Sequence, residues 1–182
     1  PPDRLLHRDR LLDLLDQFQD RRVVLVHGKA GQGKSTLVAD FLQRREQPCA
    51  WHRLQEPDRD PARLLWSLHG ALSALPPPLR RKPLAATPTP HDLAELAEGI
   101  PTEGAYLVLD DFRHLQEQRE SLQRLNALIF DLPSRLHWVL VSRSYPDLAL
   151  ARLRSQRQLV EISDPDLAFR RDRLVLRDRR GF

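Results

Sequence analysis

The nine residues Gly28-Lys29-Ala30-Gly31-Gln32-Gly33-Lys34-Ser35-Thr36 fill every fixed position of the pattern G-x-x-x-x-G-K-[ST]. Three glycines in so short a stretch let the backbone turn tightly and bring successive main-chain N–H groups inward, which is the chemistry needed to cradle anionic oxygen. Lys34 adds a mobile positive charge suited to the β and γ phosphates of a nucleotide, and the Ser35 hydroxyl is a ligand for Mg²⁺. Downstream, the apolar run Tyr106-Leu107-Val108-Leu109 ends abruptly in Asp110 and Asp111. Adjacent carboxylates at the end of a buried strand need a polar crevice to open into. Asp110 then suits Mg²⁺, directly or through water, and Asp111 suits the orientation of a water toward a γ phosphate; a helix cap or an exposed turn is the plainer alternative. A second apolar run, His137 to Ser142, ends in Arg143, whose planar fork suits either a γ phosphate or a structural carboxylate.

The flanking elements are those such chemistry requires. Arg22 to His27 reads as a buried strand, and Leu37, Val38, Phe41 and Leu42 recur at helical spacing after the loop. Strand, loop and helix thus succeed one another, so the helix N-terminus faces the anion site. Residues 3–19 set Leu11, Leu12, Leu15 and Phe18 on one helical face ahead of the first strand. A second strand is expected over Cys49 to Leu54, with Cys49 buried by packing. Asp60 and Pro61 suit the N-cap and first turn of a helix whose buried face runs through Leu64, Leu68 and Leu72. Six prolines between Pro76 and Pro90 mark a surface loop. Helices are then expected over Pro90 to Glu98, from Leu115 to a stop before Pro133, and over Leu148 to Leu153, with a last strand over Gln158 to Ile162.

Composition narrows the function classes. A chain of 182 residues suits one α/β domain, divided here as 1–21 (helix and nucleotide-gripping segment), 22–165 (core) and 166–182 (a charged tail or the start of a following module). No apolar run approaches the ~20 residues that cross a bilayer, and the lone Cys49 fits a reducing, cytoplasmic setting. The formal charge of +4 and pI of about 9.8 invite a nucleic-acid reading. All but three of the basic residues are arginine, however, and they are interspersed with acids, which reads as solvated helix faces. With no methionine and Pro1 at its head, the chain is expected to belong to a longer gene product.

Taken together, these residues resemble the nucleotide-binding domain of MalT-like, LuxR-type transcriptional regulators, members of the signal-transduction ATPases with numerous domains. The likeness rests on Arg8-Asp9-Arg10-Leu11, Gly28 to Thr36, Asp58-Arg59-Asp60-Pro61-Ala62-Arg63, Leu107 to Phe112, Leu132-Pro133, Leu140 to Arg143 and Asp166-Leu167-Ala168-Phe169. Arg113 departs from it, standing where the family usually has histidine, with His114 one place late. The resemblance implies a three-layer α/β P-loop NTPase fold with a parallel five-stranded sheet ordered 5-1-4-3-2. It implies ATP or ADP as ligand, Arg8 near the nucleotide and Arg143 as a sensor. It also implies sensor and DNA-binding modules beyond the C-terminus of this chain. We expect binding to dominate and hydrolysis to be slow, because Asp111 stands where vigorous relatives of the fold carry glutamate. Self-association driven by ATP is allowed for; membrane contact and direct nucleic-acid contact are not expected. The rival readings are a nucleoside triphosphatase or small-molecule kinase, and a nucleic-acid-binding module.

Overall fold

The computed structural model describes residues 10–16, 21–75 and 87–167. Arg8, both ends of the first expected helix, most of the proline-rich loop and the tail from Arg170 lie outside the described residues. A helix over 10–16 (α1) precedes β1 (Val23–His27), α2 (Lys34–Gln43), β2 (Cys49–Arg53), α3 (Pro61–Ser73) and α4 (Pro90–Ala97). There follow β3 (Ala105–Asp110), α5 (Arg119–Asp131), β4 (Leu136–Ser142), α6 (Leu150–Ser155), β5 (Leu159–Ile162) and the single turn α7 (Asp164–Leu167).

The five strands form one sheet in the order β2-β3-β4-β1-β5, with every pairing parallel. This is the expected 5-1-4-3-2 order. Strand side chains alternate between faces, so a run apolar at every position is stable only if both faces are covered. In β1, Val23 and Leu25 enter one core with residues of α3 to α6, while Val24 and Val26 enter a second with Leu11, Leu15, Val38 and Phe41 of α1 and α2. The sheet is therefore the middle of three layers. Parallel pairing also brings all the strand C-termini to one edge, and this is what gathers the polar strand ends.

Local chemistry explains the boundaries. Asp60 caps α3 by accepting from the Arg63 N–H at 2.8 Å, with Pro61 in the first turn as expected. Thr89 and Asp92 form a reciprocal capping box that fixes the start of α4. The Arg22 guanidinium reaches the carbonyls of Ile129 at 2.5 Å and Leu132 at 3.0 Å, satisfying acceptors at the end of α5. Gly104 enters β3 at φ +88°, where an added Cβ would lie 2.9 Å from the Arg135 carbonyl.

Two expectations are corrected. Cys49 is exposed, because β2 is an edge strand whose inward position is Ala50, at 7% exposure; Trp51 is likewise a rim residue. Leu115 is buried but precedes α5, since the short 3₁₀ turn Phe112–His114 intervenes and the α-helix begins only at Arg119.

Candidate functional site

The loop between β1 and α2 begins where the Gly28 N–H donates to the Ser142 carbonyl at 3.2 Å, tying it to the end of β4. Gly31 and Gly33 take φ of +80° and +71°, left-handed conformations that an L side chain would strain. Gly33 stands at the N-cap of α2, where no side chain caps the helix and no acid occupies the first turn. Its leading amides are thus left to an outside acceptor, and the helix dipole favours an anion there.

Lys34 is buried, and its Nζ donates to the carbonyls of Gly28 at 2.6 Å and Lys29 at 2.7 Å. Its pKa lies below the ordinary lysine value: burial is the main cause and the positive charge of Arg143 adds to it, while Asp164 and Asp110 act in the opposite direction. A second anion beside this ammonium would relieve that strain.

Asp110 closes β3 in register with Arg53 of β2. Its Oδ1 accepts from the Asp111 N–H at 2.7 Å, and among the described residues its second oxygen has no protein hydrogen bond. Asp111 sits in the left-handed region at φ 60°, ψ 47°, at the cap position of the following 3₁₀ turn but without a side-chain cap bond. Its carboxylate instead meets Arg113 Nε at 2.9 Å, an Arg53 terminal nitrogen at 3.5 Å and His114 Nε2 at 3.7 Å. Arg143 follows the end of β4 and, among the described residues, pairs with no carboxylate.

These groups share one polar crevice of about 350 Å³ at the C-terminal edge of the sheet. Of the residues singled out in the sequence, Ala30, Gly31, Gly33, Lys34, Ser35, Thr36, Asp110, Asp111 and Arg143 line it. Gly28 and Gln32 are not among its lining residues, and the Gln32 side chain lies beside Asp164. Sequence reasoning missed Arg53, which lines the crevice, and Asp164, which braces the loop from beyond β5. The signal for both was available: in a parallel sheet every strand's C-terminus reaches this edge, so the polar residues ending β2 and following β5 belong to it.

Among the described residues no group of three or more His, Cys, Asp or Glu side chains could hold a metal by itself. The donor set fits Mg²⁺ nonetheless, since that ion is commonly held by a hydroxyl, one or two carboxylates and the oxygens of a bound phosphate. Ser35 and Asp110, both in the crevice, would supply the protein's part. No described helix is long and apolar enough to cross a membrane.

Comparison with known proteins agrees with this geometry. Residues 16–145 match the model of a family described as AAA domain. The chain is 31% identical over 177 residues to the HTH-type transcriptional regulator MalT of Vibrio cholerae, an alignment covering 89% of this chain and 19% of that protein. MalT of Serratia proteamaculans is 32% identical over 171 residues, with the same coverages. This chain thus spans about a fifth of the length of the curated relatives it matches. Among solved structures, a Signal Transduction ATPase with Numerous Domains from Pyrococcus horikoshii, bearing a tetratricopeptide repeat sensor, aligns with TM-score 0.58 at 20% identity, over 85% of this chain and 22% of that one. At that identity the match shows the fold alone, a P-loop NTPase core.

Proposed function

This chain belongs to the AAA-domain family as a P-loop domain similar to that of the MalT regulators, and from that premise we propose that it is an ATP- and ADP-binding signalling switch with slow Mg²⁺-dependent hydrolysis. The observation that carries the reading is the meeting of Lys34, Ser35, Asp110, Asp111 and Arg143 in one crevice at the mouth of an uncapped helix. Loop amides and Lys34 grip the phosphates, with Lys34 exchanging its two carbonyl partners for phosphate oxygen. Ser35 and Asp110 hold Mg²⁺, which when bound neutralises phosphate charge. Arg143, without a carboxylate partner among the described residues, is the γ-phosphate sensor; a role for Arg8 at the nucleotide is supported by the family resemblance alone.

Slow hydrolysis follows from the surroundings of Asp111. Its carboxylate is already engaged by Arg113 at 2.9 Å and Arg53 at 3.5 Å, and its side chain is shorter than that of glutamate, so it reaches less far toward an attacking water. The switch acts through differential affinity: about 1.4 kcal/mol of preference between two conformations is gained for every tenfold difference in binding. We propose further that the whole protein is a cytoplasmic LuxR-type transcriptional regulator, with sensor and DNA-binding modules beyond this chain.

Phosphate release separates the switch from its enzymatic rival. Given excess Mg-ATP, the chain should release no more than stoichiometric phosphate on the timescale of minutes while retaining nucleotide. Linear release through many turnovers would instead make it a true triphosphatase.

A further inference from the structure

Asp164, two residues past the last strand, reaches back to the phosphate-binding loop. Its Oδ1 accepts from the Lys29 N–H at 2.8 Å, and the Gln32 side chain lies beside the same carboxylate. The fit is close: a Cβ added to Gly28 would lie 2.3 Å from Asp164 Oδ1 and 2.4 Å from Gln32 Oε1. The Gly28–Lys29 peptide group is the link, because its N–H is held by Asp164 while its carbonyl, that of Gly28, is held by Lys34 Nζ at 2.6 Å. Beyond Asp164 the chain closes into a tight turn. The Ser163 N–H and hydroxyl donate to Asp166 at 3.0 and 2.8 Å, and the Asp166 and Leu167 N–H groups return to the Ser163 carbonyl at 2.9 and 3.0 Å. Leu167 is buried in the core beside α1 and α2.

We propose that Asp164 is a phosphate-sensing positioning residue. It braces the first turn of the loop while the crevice is empty, and its negative charge opposes polyphosphate, so that nucleotide and the 163–167 turn compete for the loop. The inference rests on the nucleotide-binding reading. Lys34 is within electrostatic reach of both Asp164 and the crevice. When Lys34 turns to phosphate, the Gly28 carbonyl loses its donor, and with it goes the polarisation that strengthens the bond from the Lys29 N–H of the same peptide group to Asp164. At the same time new negative charge arrives beside the carboxylate. The turn loosens, and the occupancy of the crevice reaches Leu167.

Asp164→Asn isolates the charge, because the amide oxygen still accepts from Lys29. Titration with fluorescent ATP and ADP analogues should show ATP bound roughly three- to tenfold more tightly by the variant at low salt, with a smaller gain for ADP and both gains fading as salt rises. Hydrogen exchange supplies a second readout. Saturating Mg-ATP should speed exchange at the Asp166 and Leu167 amides of the wild type, and in the variant, which keeps the bond to Lys29 but lacks the opposing charge, it should change their exchange much less. Unchanged ATP affinity in Asp164→Asn, or wild-type amides that ATP slows, would overturn the proposal and leave Asp164 a passive brace. A wild type that binds neither nucleotide would overturn the reading beneath it as well.

Discussion

Lys34→Ala is expected to weaken binding of a fluorescent ATP or ADP analogue by about a hundredfold or more, the scale of losing a charge-assisted contact worth roughly 3 kcal/mol. The ammonium is already desolvated and already held at the mouth of the loop by the carbonyls of Gly28 and Lys29. Little reorganisation is then needed when phosphate arrives, and most of the new attraction appears as affinity. Exposed lysines elsewhere would give far less, because water screens them. The substitution also leaves two loop carbonyls short of a donor, which should cost the unliganded fold about 1 kcal/mol. Melting of the nucleotide-free variant therefore serves as the control. A loss of affinity under about threefold would mean that the ammonium does not meet the ligand.

The second large effect concerns Asp58, which joins the edge of the sheet to α3. It is 2% exposed, and it accepts from the Gln55 N–H at 2.8 Å, the Ser67 hydroxyl at 2.6 Å and His52 Nε2 at 3.0 Å. An ionised carboxylate can only accept, so the His52 proton resides on Nε2. Asp58→Ala strands three donors at once and should destabilise the domain by about 2–4 kcal/mol in urea unfolding at neutral pH. Burial alone would raise the pKa of this carboxyl, but the bonds from His52, Ser67 and Gln55 prevail and hold it below the ordinary aspartate value. A depressed folded pKa contributes stability that is complete above the unfolded value, near 4, and disappears as pH falls through the folded one. The gap between wild type and Asp58→Ala should accordingly be widest at neutral pH and narrow below about pH 4. A pH-independent difference would show that the carboxylate's charge is not what matters.

Much of this architecture was legible because its signals are local. The runs in β1, β3 and β4 are apolar on both faces, which only a covered parallel sheet accommodates, and the acids ending β3 announced a polar crevice. Asp60 and Pro61 marked the start of α3 for reasons confined to one turn. The order of the strands was different: periodicity does not encode it, and it came with the family resemblance. What escaped depended on distant partners. Cys49 opens a strand that looks like any other, and only its place at the edge of the sheet leaves it exposed. Arg53 and Asp164 enter the site through contacts with residues 58 and 135 positions away in the chain. Gln32 occupies a variable position of the motif, so nothing nearby indicated that its side chain would lie beside Asp164 instead of lining the crevice.

A thermal melt of the wild-type chain with and without millimolar Mg-ATP or ADP bears most directly on whether this crevice is a nucleotide site. A ligand present at ~1,000 times its dissociation constant adds about 4 kcal/mol to the folded state. For a domain of this size that is worth roughly ten degrees. We expect a rise of that order with either nucleotide. Superimposable melting curves at millimolar nucleotide would contradict it.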